Sequence, residues 1–537
     1  MHNTPRFFVS CLVFFALLTG EVVFAQQLPP FQPDPPKNWF AMDLKTDGYF
    51  GVSLNQAYEF LQGKKSKPVV VAIIDSGCDT LQQDLQSVLW VNPKKDKDFP
   101  GDVHGWDFLG GSGRKCDFNE TEEEIRQYFK LKDKYAALTE STAPNKKEYA
   151  FWLEVKAQYD STTNKAHTEL QQLTPIMNAL VETSGYIRHL LNLKDDQTFT
   201  RADVEHLETK NDTVAQIREL WLIAFSEDVS TATNVKALKS MSEYLDKLNN
   251  EVSPDLEARK RIVGDDPDIL HDKPYGNNVL KFEDAAHGTQ VAGLVGAVRG
   301  NNYGIDGVAD NVKLMIIKAV PNGDEYDKDV ANAIHFAVDH GALVINMSFG
   351  KKISPHKAWV DEAFKYAAAH DVVLVQASGN ESQDMDLKPE FPNDVFENGS
   401  ATDADNVIDV GASGMKPDTS LAADFSNYGK KNVDIFAPGV KITSTTMDAE
   451  TSTDDGTSFS SPIVTGVAAL IREYYPKLSA KQVKRAIMES ATPITDVKVY
   501  KPGTKELVSF DTLSKTGGIV NAYRALQIAS TMEGEKK

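Results

Sequence analysis

Cysteine is nearly missing from this chain. Three in 537 residues are too few for a scaffold stapled by disulfides, and no histidine and cysteine spacing suggests a zinc site. Basic charge is short as well, with 57 Lys and Arg against 77 Asp and Glu. The formal net charge of −20 argues against nucleic acid or an anionic membrane as partner. Beyond Ala25 no apolar run approaches the ~18 residues of a membrane span. Internal repeats and low-complexity tracts are not evident. Glycine fails in one long stretch: Gly185 is the only one between Asn119 and Ile262, although the chain has 34. A chain of this length can bury one large α/β core plus a helical subdomain.

Three segments stand out: VVVAIIDSGCD around Asp75, HGTQVAG from His287, and DDGTSFSSP, which contains Ser458. Residues 69–74 form an unbroken apolar run, the pattern of a buried parallel strand whose carboxyl end delivers Asp75 to a crevice. His287 precedes Val291, Ala292, Leu294 and Val295, a helical pattern on small residues. Ser458 opens a helical segment over 460–475, with Pro462 in the first turn, where its missing N–H costs nothing, and the positive helix end faces the reacting centre. A serine hydroxyl is a poor nucleophile until an imidazole takes its proton and a carboxylate orients that imidazole. A second buried-strand run, 372–377, ends at Ser378, Gly379 and Asn380. The Asn380 amide could donate to the oxyanion of a tetrahedral intermediate beside the Ser458 backbone N–H.

The chain order Asp, His, Ser is that of subtilisin, against His, Asp, Ser in chymotrypsin-like enzymes and Ser, Asp, His in α/β-hydrolases. Together with GIDGVAD (304–310), VINMSFG (344–350), FSNYG (425–429) and FAPG (436–439), these segments make the chain resemble the subtilisin-like serine peptidases, or subtilases. The resemblance covers residues from about 45 to 110 and 265 to 530. It implies an α/β fold, a doubly wound and mostly parallel sheet flanked by helices. It implies a triad of Asp75, His287 and Ser458 with Asn380 in the oxyanion hole. The backbone of Ser348, Phe349 and Gly350 would pair with an extended substrate and wall the S1 pocket, opposite Ala377, Ser378 and Gly379. No cofactor is required for the chemistry. Asp84 matches a position that supplies a calcium carboxylate in many subtilases, and Asn301 or Asn302 could add an amide oxygen. A helix-capping Asp and ordinary turn asparagines are the competing reading.

The chain departs from the family pattern at several points. Gln290 stands where a second histidine is common, and Phe459 where methionine is usual. Cys78 reads as a small buried hydrophobe in preference to a second nucleophile. Cys78 and Cys116 fit either one disulfide or two free thiols. His287 follows Asp75 by 212 residues, where ordinary subtilases need a few tens. The glycine-poor, charge-mixed stretch 119–262 reads as a helical insertion. Thr174 with Pro175 predicts a helix start before Ile176, Leu180, Ile187 and Leu190, and Ser253 with Pro254 repeats the signal. Ile125, Tyr128, Phe129, Tyr135 and Leu138 give another apolar face. Such helices pack as a bundle or lie across the catalytic domain. They would serve as an inert surface addition, a cap over the cleft, or a docking surface for a protein partner. Tripeptidyl peptidase II, another subtilase relative, also carries a long insertion between the catalytic Asp and His.

Arg6, the apolar stretch 7–18 and Val23-Phe24-Ala25 make residues 1–25 a secretory signal peptide, and place the protein in the periplasm or outside the cell. The proline-rich segment 26–44 leaves no room for a separate folding prodomain. The catalytic domain is then discontinuous, 45–118 and 263–530, interrupted by 119–262 and followed by a polar tail, 531–537. The expected function is a secreted serine endopeptidase acting on unfolded or loop segments of polypeptides, with no stable membrane insertion. Its alternatives are an exopeptidase restricted by the insertion and a catalytically silent binding protein of the same fold. Asp384, Asp386, Glu390 and Asp394 read as a solvated acidic loop, with a bias toward basic substrate residues as the other reading.

Overall fold

Short, mostly apolar segments of this sequence become strands buried on both faces. In the computed structural model, which describes residues 35–94, 97–225, 233–397 and 404–536, seven of them form one sheet. They are β1 (Val69–Asp75), β2 (Gly105–Asp107), β3 (Val312–Lys318), β4 (Val344–Met347), β5 (Val373–Ala377), β6 (Val407–Ser413) and β7 (Ile435–Pro438), in the order β2-β3-β1-β4-β5-β6-β7. Every neighbouring pair is parallel. Side chains alternate between two cores. Val69, Val71, Ile73, Leu314 and Ile316 meet helices Ala286–Gly296, Thr457–Tyr474, Ala480–Ser490 and Ala522–Thr531. Ala72, Ile74, Met315 and Ile317 meet helices Asp327–Asp339 and Lys357–Ala369 on the other side. The expected signal peptide at 1–25 lies outside the described residues.

Strand order reverses beside β1, which lies between β3 and β4. Such a switch point separates the loops that leave the carboxyl ends of adjacent strands and opens a crevice there. Two small antiparallel hairpins complete the strands, one of them formed by β8 (Ile442–Thr445) and β9 (Thr451–Asp454).

Residues 119–262 fold into helices Glu123–Tyr135, Lys146–Leu190, Arg201–Glu205, Asp212–Ala224, Asn234–Val252 and Ala258–Ile262. Two expected helix starts are corrected. The 45-residue helix Lys146–Leu190 begins at the N-cap Asn145 and runs straight through Thr174 and Pro175. An internal proline costs ~3 kcal/mol; Leu170, Leu173 and Met177 flank it and pack with Leu245 and Leu248 of the helix Asn234–Val252, and that burial outweighs the lost hydrogen bond. Ser253 and Pro254 start no helix either: Ser253 ends Asn234–Val252, and the next helix begins at Ala258. The insertion has apolar clusters of its own, around Trp221, Trp152 and Leu248.

Both ends of the helical segment 119–262 are fastened to the rest of the chain by buried charge. Glu123 at its start faces Lys351 at 3.2 Å, and Lys351 also pairs with Asp327 at 2.9 Å. Arg259 at its end grips Asp265 at 2.8 Å and Asp329 at 2.5 Å, with all three side chains almost fully buried. Removing one partner strands the other charges in a dry site, which typically costs ~3–5 kcal/mol. Arg259→Ala is therefore expected to lower the thermal midpoint by several degrees in differential scanning calorimetry. An unchanged midpoint would mean that these pairs do not hold the insertion in place.

Candidate active site

The carboxyl ends of β1, β4 and β5, adjacent in the sheet, bring three expected site segments side by side. β1 ends on Asp75, 1% exposed, β4 runs into Ser348, and β5 runs into Ser378, Gly379 and Asn380. The helix Ala286–Gly296 lies against the end of β1 because Gly288 has no side chain. A Cβ there would stand 2.0 Å from the Gly77 carbonyl oxygen and 3.2 Å from the Asp75 Cβ. That approach sets His287 Nδ1 2.7 Å from Asp75 Oδ1, which also accepts the Ser76 N–H at 2.7 Å. A carboxylate only accepts, so Nδ1 carries the proton and Nε2 is left as the basic nitrogen. Lys318, paired in register with Asp75 and fully buried, donates to the Ser76 carbonyl at 2.6 Å and pairs with Asp284. The turn after Asp75 is thereby pinned from behind.

Ser458 is the second residue of the helix Thr457–Tyr474, at the end where backbone N–H groups point outward. Its hydroxyl donates to the Ser348 carbonyl at 3.4 Å and forms no hydrogen bond with His287 among the described residues. Ser348 returns a bond from its own hydroxyl to the Ser458 carbonyl at 2.9 Å and accepts from Asn346 Nδ2 at 2.9 Å. Asn346 Oδ1 in turn accepts from Ser461 at 3.0 Å and Thr465 at 2.9 Å. This buried chain of polar contacts fixes the end of β4 to the serine helix. Asn380 is oriented too: its Oδ1 accepts from Thr457 N at 2.9 Å and Thr457 Oγ1 at 3.0 Å, which leaves its Nδ2 to donate elsewhere. Thr457 and Asn346 were not among the residues expected from the sequence. Asn346 carries a signal all the same, since a polar residue inside the run VINM needs buried partners.

The departures from the family pattern have structural partners. Gln290 Nε2 donates to Ser452 Oγ at 2.5 Å and to the Asp454 carboxylate, tying the β8-β9 hairpin to the histidine helix. The Phe459 ring centroid lies 5.9 Å from that of His287. Cys78 and Cys116 are both free and buried, so the disulfide alternative does not hold; a core of this size needs no staple. Burial pushes the Cys78 thiol up to about 12, the state of an inert hydrophobe. The calcium expectation is not matched by the donors at Asp84. That carboxylate, fully buried, accepts Asn301 Nδ2 at 2.6 Å and the Ile305 N–H at 3.0 Å. The Asn301 oxygen faces Tyr303 N at 2.9 Å instead, so N–H groups surround Asp84 where a calcium ion needs six or more oxygens.

The two segments expected to wall the substrate continue from the carboxyl ends of the neighbouring strands β4 and β5, and Ser348 is bonded to Ser458. Phe349 and Gly350 make no backbone-to-backbone hydrogen bond among the described residues, while Ser378 and Gly379 are fastened to Val410 and Asn427. A cavity of about 480 Å³ runs from Gly350, Glu381 and Glu390 to Lys165, Tyr244 and Lys247 of the insertion. The acidic loop after Asn380 is not solvated as a whole. Glu390 is 7% and Asp394 4% exposed, and Asp386 accepts the backbone N–H groups of Lys431 and Asn432.

Residues 66–517 match the Subtilase family. The chain belongs to this family. Subtilisin DY of Bacillus licheniformis is 36% identical over 220 residues, 40% of this chain and 74% of that protein. The thermophilic serine proteinase of Bacillus sp. (strain AK1) is 35% identical over 215 residues, 40% of this chain and 49% of that protein, so the match spans about half the length of that relative. Among solved structures, a protease from Pseudoalteromonas arctica is similar at 26% identity, with a TM-score of 0.37 over 47% of this chain and 74% of that one.

In this subtilase the charge state of His287 is set by opposing effects. Desolvation pulls the imidazole down, but the Asp75 carboxylate and its hydrogen bond outweigh it, and the net shift is upward. A value raised in the folded state means that the pair stabilises the fold fully below the unfolded value, and that this contribution is lost as pH rises through the folded one. Nitrogen-15 NMR of the histidines is expected to show His287 titrating above the ordinary value of about 6.5. Asp75→Asn should bring it down; a titration unmoved by that change would disprove the pairing.

Proposed function

We propose that this subtilase is a secreted serine endopeptidase that hydrolyses peptide bonds in unfolded or loop segments of polypeptides. The observation that carries the reading is the meeting of the Asp75–His287 hydrogen bond with a serine at a helix N-terminus and an amide whose oxygen is already held by Thr457. In the reaction Ser458 Oγ turns from the Ser348 carbonyl to His287 Nε2, a rotation about one side-chain bond. His287 takes the hydroxyl proton as Oγ attacks the scissile carbonyl, and Asp75 holds the imidazolium. The developing oxyanion receives Asn380 Nδ2 and the Ser458 N–H. His287 then gives its proton to the leaving amine, and water resolves the acyl-enzyme by the same route.

The free backbone of Phe349 and Gly350 supports substrate binding as an added strand, which a folded helix or a paired strand cannot supply. Lys351, next in the chain, is held by Glu123, so the insertion supports the substrate wall and acts as a cap beside the cleft. Secretion rests on the sequence of residues 1–25. Among the described residues no helix is long and apolar enough to cross a membrane.

A fluorophosphonate probe followed by denatured casein tests this reading. Ser458→Ala is expected to abolish labelling and to cut turnover on the order of 10⁶-fold; Asn380→Ala should label but turn over ~10²–10³-fold more slowly. The acid limb of kcat/KM should lie above pH ~6.5, because the raised imidazole must be neutral to act as base. Internal cleavages mark an endopeptidase. Trimming from one end would replace it with the exopeptidase, and absence of labelling with the silent binding protein.

We further propose that hydrogen bonds, without calcium, hold the loop around Asn301 to Asp84. Excess EGTA is expected to leave the thermal midpoint within about 2 °C, whereas a loss above ~5 °C, roughly 1 kcal/mol or more, would restore calcium to that loop.

A further inference from the structure

The slot between the two substrate walls has an acidic floor. Gly350 closes one wall and Gly379 belongs to the other, with φ +103°. Cβ atoms placed on these glycines would lie 3.9 Å and 2.5 Å from the same atom, Glu390 Oε2, and that of Gly379 would also lie 2.7 Å from Glu381 Oε2. The two carboxylates and the Asn427 amide, whose Nδ2 would stand 2.3 Å from the same Cβ, therefore occupy the room that the missing side chain of Gly379 leaves. Glu381 is exposed and Glu390 is 7% exposed. Burial above all, and then the neighbouring Glu381, push the Glu390 carboxyl up to about 8.

No lysine or arginine comes within ion-pair distance of either carboxylate among the described residues. Lys351 pairs with Glu123 and Asp327, and Lys352, which lines the same cavity and attracts both glutamates from a distance, pairs with Glu124 at 3.7 Å. Asn427 Nδ2 donates to Glu381 at 3.0 Å, which orients the pair without neutralising it. The two carboxylates thus face the slot without an ion-pair partner in contact, and a cation entering beside Gly350 would supply one.

We propose that this slot selects lysine or arginine at the substrate residue preceding the scissile bond, with Glu381 and Glu390 as the residues that determine the specificity. The proposal deepens the peptidase reading and rests on it. An ammonium or guanidinium displaces the proton that the two carboxyls share and leaves both ionised, each paired. A leucine or phenylalanine in the same place buries apolar surface against polar groups that it cannot satisfy. The continuation of the slot into the cavity under the insertion gives the longer arginine room.

Internally quenched, N-acetylated peptides that differ only at that residue, Lys, Arg, Leu or Phe, provide the test on the purified protein. kcat/KM for Lys and Arg is expected to exceed that for Leu by ~10-fold or more. Glu390→Gln and Glu381→Gln should each reduce the Lys-to-Leu ratio by ~10-fold, with fluorophosphonate labelling reporting that the site is still folded. Preference for Leu or Phe in the unaltered protein overturns the proposal, and so does a ratio unchanged in the labelled variants. A gain seen only with unacetylated peptides also overturns it, because the cation recognised would then be the α-amino group. Cleavage without the preference rejects the slot alone, whereas no cleavage and no labelling reject the peptidase reading and the slot together.

Discussion

Parallel pairing of β1, β4 and β5 is the constraint on which the site depends. Parallel neighbours start and end on the same edges of the sheet, so every loop that follows their carboxyl ends opens on one side. Asp75, Ser348 and Asn380 reach that side directly from strand ends, with no long loop to order. The two helices that bring His287 and Ser458 pack on the same face of this sheet. Their positions are fixed by core contacts, and the polar groups at their ends need only short reaches. Lys318 beneath Asp75 and Asn346 beneath Ser348 show what this costs: polar side chains with no exposure, each surrounded by partners.

The insertion follows from the same geometry. It leaves the chain after β2 and returns before the histidine helix, so its roots emerge close to the cleft. Buried ion pairs hold both roots. Such pairs add little net stability over apolar packing, but they are costly to break and they specify one docking.

Much of the fold was legible because its signals are local. The runs before Asp75 and Asn380 could only be buried strands, and small residues after His287 announced a close-packed helix. Order of the motifs then identified the subtilase family. What escaped was whatever depends on tertiary context. Pro175 reads as a helix start until Leu170, Leu173 and Met177 are seen to bury on both sides of it. Glu390 reads as a solvated acid until the chain folds it under Gly379. Thr457 looks like a neighbour of the nucleophile, and only the folded loop shows that it aims the Asn380 amide. At Asp84 the sequence names an amide without saying which end of it faces the carboxylate.

The apolar clusters of the helical segment 119–262 are separate from those that flank the sheet, and among the described residues no disulfide joins them. Cooperativity follows continuous packing. The chain therefore consists of at least two units of unequal resilience, one built on a sheet shielded on both faces and one on small helical cores joined to it at the roots. Amide exchange would fall into layers, slowest in β1 and its neighbours and fastest around Trp221. Loss of structure at the far end of the helices would leave the strand ends in place, so local melting and the integrity of the crevice are separable, and no single unfolding free energy describes the molecule.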